Sequence, residues 1–451
     1  MQLSKIRHIV SLSGSRSELL KKNAIYMVFI KVFSMLIEFV KVPLVLSYLD
    51  NEVYGVWLTI VSIVLWAQNF DLGVSSGLKY KFTEFLAKGD KQGAQSIVST
   101  AYLSFGMLLL MAFALLTPVV FCLDWNSLLN VSSIPLVELC WTVFIVLTLF
   151  FVQMFCEQIS NLLQAYQKAA IADTFKPLAN VFSLVLIVLL RFYTQNSLLY
   201  ASIAMAAPYV LMLIGINIYL FATHFKEYAP SVKCFDKRYF RDIYALGLKY
   251  FVAQLASYVV FSSGNFLISH YLSPEDVSVY STARTYFGLI ILFNNVILIP
   301  TTTAITDAYA KNDYSWLKEN MCRLVKLASL FSAGVVAMFF LSFWFVPWWT
   351  GERISIPLDL SIMLSLYAIC NLYSMRYATF VAGAGKMAVS AIVNAAKIVV
   401  FIPIAIFALQ KLGMSGMVWA IIIVNTLPNY IFGWIQTRKI MSGRASGIWN
   451  K

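Results

Sequence analysis

Seven basic side chains sit inside stretches of sequence that are otherwise apolar: Lys31, Lys41, Lys176, Lys249, Arg284, Arg376 and Lys397. A charge in hydrocarbon costs several kcal/mol even on lenient scales, so such residues face a polar cavity, a partner or a path back to water. Depth separates them. Lys397 lies near the middle of its run and Lys31 well inside the first, too deep to reach an interface. Lys249 and Arg376 lie closer to one end, where a long side chain can snorkel. Intramembrane carboxylates are scarcer, with Glu38 the clear case and Glu157 toward one end of its run. Lys31, Glu38 and Lys41 fall at i, i+7 and i+10, roughly one face of a helix. Glu38 either pairs locally with Lys41 or faces the same space as both lysines. Asp71, in FDLGVSSG, is either a helix end tied to nearby backbone or a site for a coupling ion. Basic groups outnumber acidic ones in the apolar runs, which predicts an electropositive space that draws in an anion and focuses its field.

Other chemistry finds little footing. The six cysteines are scattered without metal or disulfide spacing. GAGKMAVS at 383–390 resembles a phosphate loop only superficially, because Met387 stands where Ser or Thr must hold magnesium. The expectation is a protein that is not an enzyme and needs no cofactor, with a proton or sodium ion as the only candidate coupling species.

The elements that position these residues follow from composition. Of 451 residues, 60% are hydrophobic and 12% charged, against roughly 25% charged in a soluble domain. Lipid must serve as solvent for much of the chain. The net charge of +13 resides in short loops between apolar runs, without a basic domain that would take nucleic acid. Candidate spans are 23–49, 54–74, 96–121, 134–162, 168–190, 197–221, 244–270, 278–305, 319–347, 357–382, 386–408 and 413–437, each near or above the roughly 20 residues a crossing helix needs. With the N-terminus inside, 24 Lys or Arg fall in inner segments and three outside, which orients both termini to the cytoplasm. Residues 1–22 are basic and polar, without the pattern of a cleaved signal.

The expected fold is all-α: a polytopic membrane protein of about 12 transmembrane helices in two six-helix bundles around a central cleft. The boundaries are a cytoplasmic N-terminus (1–22), a first bundle (23–221), a basic linker (222–243), a second bundle (244–437) and a basic tail (438–451). An ungapped offset of 223 supports a repeat, placing Tyr48-Leu49 on Tyr271-Leu272, Asp71 on Asn294, Glu84 on Asp307, Lys88 on Lys311 and Asp90 on Asp313. Six spans per repeat would make the halves parallel, with a cleft suited to alternating access. Ser75 to Gln95 gathers Leu78, Phe82, Phe85 and Leu86 on one helical face, either a helix lying on the anionic inner surface or an extension of the second span.

YGVW at 54–57, FDLGVSSGLKYKF at 70–82 followed by AKGDKQGAQ, LSPEDVSVY at 272–280, and GAGK at 383–386 followed by LGMSGMVWA resemble the polysaccharide flippases. These are the O-antigen and exopolysaccharide transporters of the multidrug/oligosaccharidyl-lipid/polysaccharide exporter superfamily. The resemblance implies a bacterial inner-membrane protein of polysaccharide and lipopolysaccharide biosynthesis. Such a protein moves an undecaprenyl-pyrophosphate-linked oligosaccharide from the cytoplasmic to the periplasmic leaflet. It also implies membrane lipid, a polysaccharide polymerase and chain-length machinery as partners. The cationic residues of such a lumen have candidate counterparts in Lys31, Lys41, Lys176, Arg284, Arg376 and Lys397, with Glu38, Glu157 and Asp71 as charge partners or coupling groups. The alternative is an ion-coupled multidrug or small-solute antiporter of the same superfamily.

Overall fold

The computed structural model describes residues 16–66, 71, 73–240 and 259–450. Lys249, much of the expected span 244–270, and the N-terminal segment up to residue 15 lie outside them. In chain order the long helices begin with α1 (Arg16–Tyr48), α2 (Asn51–Trp66), α3 (Val74–Lys88) and α4 (Lys91–Cys122). A short α5 (Trp125–Leu129) precedes α6 (Leu136–Ala165), α7 (Ala169–Tyr193) and α8 (Leu198–Ala222). After the linker come α9 (259–271), α10 (Pro274–Ala310), α11 (Tyr314–Thr350), α12 (Leu358–Gly383), α13 (Ala388–Ile421) and α14 (Leu427–Met441). The protein is all-α and polytopic: among the described residues, eight helical stretches are long and apolar enough to cross a membrane.

One of those stretches, Ala388–Met441, is folded into two arms. Gly413 adopts φ 58 and ψ −146, outside any helix, and the chain doubles back there. A Cβ on Gly416 would lie 2.0 Å from the carbonyl oxygen of Ala408, so only glycine lets the two arms meet so closely. Further along, the Gln436 amide donates to the Lys386 carbonyl at 2.9 Å, the cross-link of an antiparallel pair. The second arm is wound through a π-turn at Ile422–Thr426.

Of the expected span 54–74, α2 is described to Trp66, residues 67–70 and 72 lie outside the described residues, and α3 starts afresh after Gly73, which is left-handed at φ 77. Asp71 caps the new start, accepting from the Ser75 amide at 3.2 Å and the Ser75 hydroxyl at 2.9 Å. The apolar face of α3 is turned to protein rather than to lipid. Leu78 and Phe82 are fully buried, with Phe82 edge-on to Tyr228. Each such side chain contributes roughly 1.5–3 kcal/mol by burial. The linker is fastened alongside, through a Lys91–Glu227 ion pair at 2.8 Å and the Ser231 amide on Ser99 at 3.0 Å.

The 223-residue offset recurs in local structure. Asp50 caps α2 through the Val53 amide (2.8 Å), and Ser273 caps α10 through the Asp276 amide (3.1 Å). Asp90 caps α4 through the Gly93 amide (2.8 Å), and Asp313 caps α11 through the Trp316 amide (3.0 Å). Just before each of the latter pair stands an i,i+4 ion pair, Glu84–Lys88 at 2.6 Å and Asp307–Lys311 at 2.7 Å. Before the linker, α1 packs on α7, and α6 and α7 both pack on α8; after it, α10, α11 and α14 gather on α12. The two groups meet chiefly where α2 packs on α10, and Gly55 makes that approach possible.

Candidate functional site

A cavity of about 930 Å³ opens between the two groups of helices, toward the upper end of the size range of ligand pockets. Its first wall is α1, whose Lys31, Ser34, Met35, Glu38 and Lys41 recur at helical spacing along it. Tyr54, Trp57 and Leu58 of α2 and Met205 of α8 extend that wall, while Asn265 of α9, Ser281 and Arg284 of α10, and Tyr367 of α12 close the other.

The electrostatics are unequal. Lys41 Nζ lies 3.8 Å from a Glu38 oxygen, whose other oxygen accepts from the Asn180 amide at 3.1 Å. Glu38 therefore offsets Lys41 and is held toward α7. Lys31 and Arg284 line the same space, and neither has a carboxylate within ion-pair distance among the described residues. Arg284 rests over the Phe261 ring at 5.4 Å and donates one N–H to the Phe261 carbonyl at 3.3 Å. This holds its planar head in place with other donors to spare. A polar seam runs behind it: Ser281 donates to Asn265 (3.1 Å), whose amide donates to Ser62 of α2 (2.9 Å). The chamber thus combines fixed cations, aromatic walls and an apolar remainder, which suits an anionic group attached to an apolar or sugar-like body.

The other expected site residues are elsewhere. Lys176 is exposed on α7. Arg376 is buried at 7% exposure, sandwiched by Tyr373 and Tyr377 (5.2 and 4.6 Å to the ring centres) and bonded to the Tyr377 hydroxyl at 2.9 Å. Its Nε and Nη1 find no partner among the described residues. Lys397, 4% exposed, is enclosed by three asparagines. Glu157 accepts from Tyr209 at 3.1 Å, and Asp71 is the first link of a chain through Ser75, Gln158 and Asn161. None of these five lines the cavity. Charge alone does not point to the uncharged lining residues Tyr54, Trp57, Ser281, Thr285 and Tyr367. For the first two, the YGVW stretch itself is the available signal.

At one end the halves are tied together by side chains on backbone carbonyls. The Arg353 guanidinium donates to the carbonyls of Leu46 and Leu49, and the Asn51 amide donates to the Arg353 carbonyl at 2.8 Å. Nearby, Asn130 donates to the Leu272 carbonyl (2.6 Å) and Ser269 to that of Leu129 (2.7 Å). The cavity lies beyond this seal.

With that geometry in hand, a family model described as "Polysaccharide biosynthesis protein" matches residues 20–306. The chain belongs to this family. A second model, MatE, matches residues 250–407 of this polysaccharide biosynthesis family member. Among solved structures, it is similar to the inward-facing conformation of a multidrug resistance MATE family transporter of the MOP superfamily. That likeness has a TM-score of 0.76 at 17% identity and covers 93% of this chain and 98% of the other. The outward-facing conformation of such a transporter gives 0.64 at 17% identity over 96% and 99%. MATE in complex with MaD3S gives 0.65 at 17% identity over 96% and 99%. No curated protein matches.

The fold is therefore that of the MOP-superfamily multi-pass membrane transporters, MATE-like in shape. No group of three or more His, Cys, Asp or Glu suited to a metal ion occurs among the described residues. One expectation is corrected: the narrowing to O-antigen and lipopolysaccharide biosynthesis does not stand. Solved structures that share this fold over nearly the whole chain include MATE transporters, and the MatE model matches most of the second half.

Proposed function

We propose that the chain is an alternating-access transporter, open to the cytoplasm in this conformation, whose cleft receives an amphipathic anion. The observation that carries the reading is the meeting of Lys31, Lys41 and Arg284 around one cavity with Glu38 as the only carboxylate among its lining residues. In a low-dielectric cleft that surplus attracts phosphate-like charge strongly, and the Arg284 fork suits its geometry. The proposed frame is twelve passes in two bundles, with both termini cytoplasmic and the cell inner membrane as location. The seal around Arg353 then closes the outer face. Greater likeness to the inward-facing relative than to the outward-facing one supports that state. Transport would proceed as the seal opens and the bundles rock about the α2–α10 contact, with no covalent bond changed.

Two cargoes fit this frame. The solved-structure likenesses favour ion-coupled export of small or drug-like solutes, the better supported of the two from comparison. In that form the half-buried carboxylates Asp71 and Glu157 are the candidate groups for a coupling proton or sodium ion. The cationic surplus and the family match support an undecaprenyl-pyrophosphate-linked oligosaccharide, its tail left in lipid. Arg376, with two buried nitrogens unpartnered among the described residues, is a further docking point for an anion as the cleft reshapes.

Liposomes containing the purified chain would be given the labelled lipid-linked pyrophosphate and, separately, anionic and cationic drug-like dyes under proton or sodium gradients. The expected result is movement of an anionic cargo that falls roughly tenfold or more in Lys31→Ala and Arg284→Ala. Movement of the cationic dye alone, indifferent to both changes, would overturn the anionic reading.

A further inference from the structure

Lys397 has an unusual set of neighbours for a buried cation. Its ammonium meets the side-chain oxygens of Asn394 at 2.9 Å, Asn425 at 2.9 Å and Asn429 at 2.8 Å. No carboxylate lies within ion-pair distance among the described residues. A lysine ammonium has three N–H donors and no acceptor, so three oxygens use all of them and leave none for cargo. Three neutral amide oxygens converging on a buried monovalent positive charge resemble the carbonyl oxygens by which proteins replace the hydration shell of an alkali cation. The backbone is built for it. Asn394 is one turn before Lys397 on α13, while Asn425 belongs to the π-turn and Asn429 follows four residues later on the returning arm. Such π-turns are rare and concentrate at functional sites. The Asn429 amide also donates to the Asn425 oxygen at 3.4 Å, which orients both carbonyls inward.

We propose that the Lys397 ammonium is a tethered occupant of a monovalent-cation site formed by the amide oxygens of Asn394, Asn425 and Asn429. The chain thereby carries in its own sequence the cation this pocket would otherwise take from solution. Two consequences follow. Lys397 is a positioning residue that closes the Gly413 hairpin rather than a contact for cargo. No sodium or potassium ion enters this pocket during the transport cycle of the native chain. Neither consequence depends on which cargo is moved.

The test compares the full chain with Lys397→Ala and Lys397→Met, each extracted and purified in potassium, sodium or choline chloride at equal ionic strength. The native chain is expected to be recovered equally in all three salts, with one Tm. Lys397→Ala opens the pocket and exposes three uncompensated oxygens, so it should yield roughly tenfold more monodisperse protein in potassium or sodium than in choline. Its Tm should rise and saturate with the favoured ion, and whether potassium or sodium does this identifies the ion that fits. Lys397→Met fills the space without a charge and should be poorly recovered in every salt. The proposal is overturned if Lys397→Ala is recovered equally in all three salts, or in none of them. It is also overturned if Lys397→Met matches the native chain, since a cation is then unnecessary there.

Discussion

The two halves of the chain share a frame and differ in charge. Where the first half carries Asp71, just before the start of α3, the second carries Asn294 inside the unbroken 37-residue α10. Asp71 is satisfied by Ser75 at the mouth of a helix, whereas Asn294 is 2% exposed and, among the described residues, its amide reaches the Met375 sulfur at 3.8 Å. The asymmetry extends beyond this pair. The first half half-buries carboxylates, Asp71 and Glu157, among hydroxyls and amides; the second buries cations, Arg376 and Lys397, among tyrosines and asparagines. At the 223-residue offset the helix caps are alike while the interior charges are exchanged. The cleft between the halves takes cations from both sides, Lys31 and Lys41 from one and Arg284 from the other.

The sharpest way to break the comparison is at the contact between the halves. A Cβ at Gly55 of α2 would lie 1.7 Å from the Pro274 carbonyl oxygen, a backbone atom that cannot swing aside. Gly55→Ala should therefore cost about 3 kcal/mol or more and lower the Tm of the purified protein most of all. A neutral result would mean that α2 and α10 slide freely, which removes the pivot assumed for rocking. Next comes a charge exchange at matched positions. Asn294→Asp places a carboxylate in an enclosed site with no donor but its neighbours and should cost roughly 3 kcal/mol. Asp71→Asn keeps an acceptor for the Ser75 hydroxyl and should cost about 1 kcal/mol. Equal losses from the two, measured by thermal unfolding in detergent, would contradict the claim that only the first half is built for an acid here.

Much of this architecture was legible because its signals are local. Apolar runs, loop charges and the 223-residue offset need no tertiary knowledge, and the caps at Asp90 and Asp313 repeat the same short-range chemistry. The fresh start of α3 is hard to read in the sequence because only Gly73 marks the change of backbone. Depth within a span located Lys31, Lys41 and Arg284, which share the cavity. It failed to distinguish them from Arg376 and Lys397, whose surroundings are set by packing. Asn425 and Asn429 come within reach of Lys397 only because the chain reverses at Gly413. The role of Tyr54 and Trp57 as cavity walls is not legible in the sequence, since an uncharged aromatic in an apolar run looks like core.

The capping aspartates give a smaller and stricter test of the repeat. Each satisfies one helix-start amide, so Asp90→Ala and Asp313→Ala should each cost about 1 kcal/mol. Their losses should be nearly equal and should add in the double variant, because the sites are independent. A loss confined to one of them would show that the matched caps are alike in geometry only.

The finest difference concerns the ion pairs just before those caps. Asp307 meets one lysine, Lys311, but Glu84 meets two, Lys88 at 2.6 Å and Lys81 at 3.3 Å. The hydrogen bond from Lys88, then that from Lys81, and then the charges of both hold the Glu84 carboxyl below its ordinary range. A carboxyl whose folded pKa is depressed stabilises the protein above its unfolded value, about 4.3 for glutamate. That contribution is lost as pH falls through the lower folded value. Glu84 is solvent-exposed, so the effect is small and salt-sensitive. The Tm difference between the native chain and Glu84→Gln should thus be present near about pH 7, shrink below about pH 4, and narrow at high salt. A difference that persists unchanged into acid would assign the role of Glu84 to packing of its methylene stem, leaving the two halves alike at this point.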